Sequence, residues 1–314
     1  MNDDTNPATW ERNVLERLLQ GTLTEQRRAR RWRIFFRLLT VLLALLVLGL
    51  FRTDMGMPQV ATRHTALVQL NGVIAPGTDA NADLIIESLR KAYDNAQVAG
   101  VVLRIDSPGG SPVQAGRINA EIQRLRQLHP NVPLYAVIDD ICASGGYYVA
   151  VAADKIYADK ASVVGSIGVL MNGFGFVGAM EKLGIERRLL TAGAHKGFLD
   201  PFSPENPQDA THARELLESI HAQFIDVVKQ GRGARLKDDP RLFTGLVWTG
   251  EQGVDLGLID ALGDTDSVAR EVFKADKVVD YTRHPAYFDK LIRSAGGEAA
   301  SGLLNALSNG LRWR

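Results

Sequence analysis

The apolar positions of this 314-residue chain repeat with different periods in different stretches, and each period predicts an element. Residues 38–51 (LLTVLLALLVLGLF) form an almost unbroken apolar run. Residues 66–70 (ALVQL) suit a short strand closed by Asn71-Gly72. Leu84, Ile85, Leu89, Ala92 and Tyr93 recur at helical spacing across 83–96. Residues 100–105 (GVVLRI) predict a buried strand bounded by Asp106-Ser107-Pro108-Gly109-Gly110. A helix is expected next, with Ser111 as its cap, Pro112 at its first position and Ile118, Ile122 and Leu125 on one face. A strand at 134–138 and a helix at 145–152 repeat the order, which implies an α/β fold with a parallel sheet under covering helices. Further on, the pattern predicts short strands at 156–157 and 187–190 and a long amphipathic helix over 208–229, carrying Leu216, Leu217, Ile220, Phe224, Ile225 and Val228. Two glycine-punctuated stretches, 245–250 and 253–263, lead to a last helix near 265–273. There is no internal repeat.

Charge changes the reading of the first apolar run. Arg27, Arg28, Arg30, Arg31, Arg33 and Arg37 lie directly before it. Counted from Ile34 the segment is about 18 residues, or ~27 Å of helix, which spans a hydrocarbon core if Arg37 reaches back to the headgroups. The chain continues Arg52-Thr53-Asp54 with no small-x-small site, so an uncleaved anchor is expected rather than a removed signal. The basic flank then places residues 1–33 in the cytoplasm, the transmembrane anchor at 34–52, a linker at 53–64, the folded body at 65–280 and a tail at 281–314, with the body on the outer face of a bacterial-type inner membrane. The 36 basic and 36 acidic residues balance, which leaves no overall field for nucleic acid. A single cysteine, Cys142, excludes an intrachain disulfide framework.

The chemistry concentrates at Cys142-Ala143-Ser144-Gly145-Gly146-Tyr147-Tyr148, where a predicted strand gives way to a helix. A serine there has an exposed hydroxyl, and free backbone N–H groups lie beside it for a developing oxyanion. The same pattern also fits a serine that simply caps the helix. The loop 106–110 emerges at the same edge of the sheet, so Gly109 or Gly110 together with Gly145 can supply two N–H donors, although Ser-Pro-Gly-Gly is also an ordinary turn. Of the six histidines, His212 and His221 fall in the long helix and His129 at a helix end; His195 is the serious candidate for a base. Its neighbour Lys196, set among Ala, Gly and Phe, is the preferred one, because burial in such surroundings favours the neutral amine. Solvation is the default state of a loop lysine.

Asp-Ser-Pro-Gly-Gly at 106–110, Ala-Ser-Gly-Gly-Tyr-Tyr at 143–148, Val-Gly-Ser-Ile-Gly-Val at 164–169 and Lys196-Gly197 together resemble the signal peptide peptidase A family of serine peptidases, in order and approximate separation. The resemblance covers roughly residues 66–263, with one catalytic region as in the short form of the family. It implies a fold similar to ClpP and crotonase, a Ser-Lys dyad and no metal or organic cofactor. Ser144 would be the nucleophile, Lys196 the general base, Ser166 the group orienting the lysine, and Gly109 or Gly110 with Gly145 the oxyanion hole. It also implies a homo-oligomeric ring in which neighbouring subunits complete the dyad. Peptide substrates would be unfolded and hydrophobic, such as remnant signal peptides or membrane-protein fragments, and residues 165–169 are expected to pair with their backbone. Cys142 reads as a small buried hydrophobe and Tyr147 and Tyr148 as core aromatics. The competing readings are a crotonase-like acyl-thioester enzyme, which needs a carboxylate at the site, and a non-catalytic membrane scaffold.

Overall fold

A computed structural model describes residues 30–43, 45 and 62–284. The chain divides into two units between Gln59 and Val60. In the first, residues 30–43 and 45 are helical, with Trp32, Phe35 and Phe36 clustered at ring distances of 5.7 Å. The rest of the expected anchor, most of the linker and residues 285–314 lie outside the described residues. No helix among the described residues is long and apolar enough to cross a membrane.

The second unit is built on an eight-stranded sheet of order β6-β5-β3-β2-β1-β8, with β4 beside β3 and β7 beside β4. Its elements in chain order are β1 His64–Asn71, α1 Ala82–Tyr93, β2 Val98–Ser107, α2 Pro112–Leu128, β3 Leu134–Ala143, α3 Gly145–Ala150, β4 Lys155–Ala158 and β5 Val163–Gly165. Then follow α4 Val177–Leu183, α5 Pro207–Arg232, β6 Val247–Thr249, α6 Gly250–Asp255, β7 Ala261–Leu262, α7 Thr265–Ser267 and β8 Val278–Asp280. Among the described residues every strand pairing is parallel but that of β5 with β6.

Alternation along the central strands supplies both faces. Ala66, Val68 and Leu70 of β1, Val101, Leu103 and Ile105 of β2, and Leu134, Ala136 and Ile138 of β3 join one core with Ile85 and Leu89 of α1 and Ile118, Ile122 and Leu125 of α2. Leu67, Val102 and Val137 point the other way, onto Val268, Phe273 and Ala275. Gly100 lies under that second layer: a Cβ there would stand 2.7 Å from the Phe273 ring. The helix starts follow the capping chemistry. Asn81 accepts from Leu84 N–H at 3.1 Å, Ser111 from Gln114 N–H at 3.4 Å with Pro112 behind it, and Asn206 from Gln208 N–H at 3.0 Å.

Midway along its length β3 changes partner. Tyr135 to Ile138 pair with β4, whereas Ile141 to Ala143 pair with β5. The Ser162 hydroxyl donates to the Asp139 carbonyl at 2.5 Å where the exchange occurs. This extends β3 beyond the expected 134–138 and carries Ser144 to the C-terminal edge, beside Ser166. The C-terminal end of α5 is locked from beneath. Arg232, 2% exposed, donates to the Gly257 carbonyl at 2.7 Å and to Asp260 at 2.8 Å. Burial alone would raise the Asp260 carboxyl, but the bond and charge of Arg232 prevail and hold it below its ordinary value.

Three expectations are corrected. Residues 187–190 form no strand: they are exposed coil, and Leu190 is 97% exposed. A strand needs a neighbour, and the described chain offers that segment none. The last helix breaks into α7 and a π-turn at Val268–Val272. Of the stripe on α5, Phe224 and Val228 are buried while Leu216 is 41% exposed.

Candidate active site

Ser144 occupies the step between β3 and α3 with φ 51° and ψ −120°. That conformation is uncommon outside glycine, and the surroundings enforce it. Its N–H donates to the Gly165 carbonyl at 2.9 Å and its carbonyl accepts from Tyr148 N–H at 2.9 Å. Its hydroxyl makes no capping bond to the helix, so the reading as a simple N-cap fails. Behind it α3 is fixed in the core: Tyr147 is fully buried and donates to the Leu258 carbonyl at 2.7 Å. Cys142 is also fully buried, and burial pushes its thiol well up from the ordinary range. Both match the sequence expectation of core roles; Tyr148 is half-buried against Phe224.

The loop after β2 comes into backbone contact with this step. A Cβ on Gly109 would stand 2.6 Å from Gly145 N and 2.8 Å from Ser144 Cβ; one on Gly145 would stand 3.2 Å from Gly110 N. At 109 only glycine permits this approach, and Gly109 and Gly110 also carry φ of 99° and 145°. The loop is anchored at both ends. Gly109 accepts from Ile74 N–H at 2.8 Å, and Ser111 N–H donates to the Ile74 carbonyl at 2.7 Å. The Gly109 N–H itself donates to Ser107 Oγ at 3.1 Å, and Ser107 in turn donates to the Gly72 carbonyl at 2.6 Å. This distinguishes two glycines that the sequence left equivalent: Gly109 has spent its donor, whereas Gly110 N–H has no partner among the described residues. Gly145, first in its helix, has no intrahelical acceptor.

Ser166 follows β5 as Ser144 follows β3. Register pairs Ala143 with Gly165, so the two serines are the next residues on adjacent parallel strands, and Ser166 shares the φ of 51°. Its N–H donates to the Leu246 carbonyl at 2.7 Å. That bond and the β5–β6 ladder occupy the edge at Gly165 and Ser166, the first two residues of the stretch expected to pair with a substrate backbone. The short strand β6, hidden in a glycine-punctuated stretch, gave no signal of its own.

Lys196 is not brought to the serines within one chain. It lies exposed in a turn, the default state of a loop lysine, with no hydrogen bond or ion pair joining its amine to Ser144 or Ser166. From Val169 to Gln208 no residue is buried, and Leu170, Phe174, Leu183 and Leu190 are 73 to 97% exposed. His195 is held apart from the serine as well: its Nδ1 lies 2.6 Å from Oδ1 of Asp209, a buried carboxylate in the first turn of α5. Ser107 and Asp209 are the two polar residues of this region that sequence reasoning missed. Ser107 stood in plain view in the glycine loop; Asp209 is separated from His195 by 14 residues and follows no period.

A match to peptidase family S49 runs over residues 126–279, which contain Ser144, Ser166 and Lys196. A Synechocystis protein named "Putative protease slr0021" is 30% identical over 209 residues, covering 67% of this chain and 73% of that protein. The chain belongs to peptidase family S49. Within this family, the signal peptide peptidase A family, an Enterococcus faecium relative named "Putative signal peptide peptidase SppA" is 30% identical over 223 residues, 68% of this chain and 64% of its own length. A Brucella abortus protein named "Na(+)/H(+) antiporter NhaA" is 44% identical over 217 residues, again 68% of this chain but 29% of that protein. The S49 chain thus spans less than two thirds of these last two relatives, and the antiporter name belongs to a protein that lies mostly outside the match.

Proposed function

We propose that this S49 peptidase is a membrane-anchored serine endopeptidase in which Ser144 attacks the peptide carbonyl and Lys196 is the general base. The observation that carries this reading is the Ser144 step: an uncapped hydroxyl on an enforced positive-φ turn, with the N–H groups of Gly110, in the loop after β2, and Gly145, at the start of α3, close together and without a partner among the described residues. Lys196, as a neutral amine, takes the hydroxyl proton as the Ser144 Oγ–C bond forms. The carbonyl oxygen becomes an oxyanion held by the two N–H groups. Lys196 returns the proton to the leaving amine as the C–N bond breaks, and water hydrolyses the ester by the same path. Gly109 shapes the hole without donating to it. Ser166, side by side with Ser144, orients the lysine.

The exposure of Lys196 and the apolar surface around it support a homo-oligomeric ring in which this segment of one subunit meets the serine of the next, in a ClpP/crotonase-like arrangement. Covering the lysine in this way favours the neutral amine that a base requires. Unfolded hydrophobic chains, remnant signal peptides or membrane-protein fragments, are the proposed substrates. The apolar run 38–51 and its arginines support an anchor that leaves the body on the outer face of the inner membrane. Hydrolysis of a fluorogenic hydrophobic peptide by the full chain tests the chemistry. Ser144→Ala and Lys196→Ala are each expected to lose on the order of 10³-fold or more in kcat; full activity in Lys196→Ala would overturn the base assignment.

A further inference from the structure

The turn that carries Lys196 has nothing buried of its own, yet it is tied on both sides to one helix. On its N-terminal side His195 Nδ1 meets Asp209 at 2.6 Å. On its C-terminal side the Phe198 ring stands edge-on to His212 at 5.8 Å. Asp209 and His212 both belong to α5. The same helix reaches the nucleophile by two other contacts: Phe224 packs on Tyr148 of α3 at 5.2 Å, and His221 Nε2 donates to the Ile167 carbonyl at 3.2 Å, one residue beyond Ser166. One helix therefore touches the elements that position all three proposed site residues.

Asp209 is the unusual member of this set. It is 7% exposed in the first turn of α5, and the bond it accepts is from the residue directly before Lys196. A buried carboxylate is costly unless bonded, and here the bond fixes the backbone position adjacent to the base. The carboxylate also sets the ring, since Nδ1 must carry the proton it donates to Asp209.

We propose that Asp209 is a positioning residue for Lys196, acting through His195, and that the histidine is a tether rather than a base. This rests on the reading of Lys196 as general base. The bond need shift the amine by only about 1 Å when lost to cost up to about 100-fold in rate.

The test is steady-state hydrolysis of the same peptide by the full-length protein, with melting temperature and assembly size measured on each variant. Asp209→Ala and His195→Ala are each expected to lower kcat about 10- to 100-fold with KM, melting temperature and assembly unchanged, and the double variant to lose no more than either single one. His195→Asn, whose amide can still donate to Asp209 but cannot act as base, restores most of the rate. Wild-type kcat in Asp209→Ala, or a loss matched by lower melting temperature or broken assembly, overturns the proposal while leaving the dyad intact. An inactive His195→Asn beside an active Lys196→Ala instead overturns the dyad itself and makes His195 the base.

Discussion

Two regions of this peptidase carry the proposed site residues and are built on opposite principles. The platform from β1 to Ser166 places Ser144, the proposed nucleophile, by its backbone: parallel strands in register, glycines at contact distance and one carbonyl fixing each serine. The arm from Val169 to Gln208 has no buried residue, presents Leu170, Phe174, Leu183 and Leu190 to solvent, and leaves Lys196 exposed with no bond to either serine. Exposed apolar residues grouped along one segment are what a contact surface presents, which is why the arm is the proposed assembly interface. The difference teaches that Ser144 is placed by its own chain, whereas Lys196 is left in solvent, so that the proposed dyad depends on assembly.

The sharpest way to break the platform is Gly110→Ala. The new Cβ would stand 2.2 Å from the Ile74 carbonyl oxygen at a φ of 145°, and neither backbone can yield without moving the donor. The expected result is a loss in kcat on the order of 100-fold or more, the scale of losing one oxyanion donor, together with a lowered melting temperature. In the arm, Leu190→Glu should weaken assembly on the order of 30-fold, the scale of a central interface residue. Sedimentation would show smaller species and activity would fall at low protein concentration, while each chain melts as before. An unchanged assembly would remove the arm from the interface.

A smaller effect separates the regions by pH. Glu121, buried in the platform, accepts from Arg124 and Arg90, and these bonds bring its carboxyl from 4.5 down to about 2 against the opposing effect of burial. A depressed carboxyl stabilises the fold above its unfolded value and ceases to do so as pH falls through the folded one. Acid denaturation between pH 4.5 and about 2 should therefore flatten in Glu121→Gln. Asp200 in the arm is also held low, first by the Ser203 hydroxyl, but the arm around it buries no residue, and Asp200→Asn should leave global unfolding unchanged at every pH.

Legibility in the sequence followed the same division. The platform could be read because its residues answer to local rules: Ser111-Pro112 opens a helix where capping requires it, and the two-residue alternation of β1, β2 and β3 reports a sheet covered on both faces. In the arm, Arg187 to Leu190 have the composition of a strand, but pairing is a property of neighbours and the described residues offer none. Lys196 sits among small and aromatic residues that suggest burial, whereas one subunit leaves it in solvent. The exhausted Gly109 donor depends on the Ser107 rotamer, and the Asp209–His195 bond joins residues with no shared period. Composition reported what each segment is suited to; it could not report who supplies the other half.

The left-handed backbone at Ser144 also sets which chemistries this scaffold can acquire. At a φ of 51° a second substituent on Cβ crowds the chain, so the step admits an unbranched side chain and excludes a branched one. A thiol could inherit the position with its backbone intact, whereas a threonine could not. Of the neighbouring nucleophile types that evolution or a designer might substitute, this fold leaves one route open and closes the other by geometry, before any question of reactivity arises.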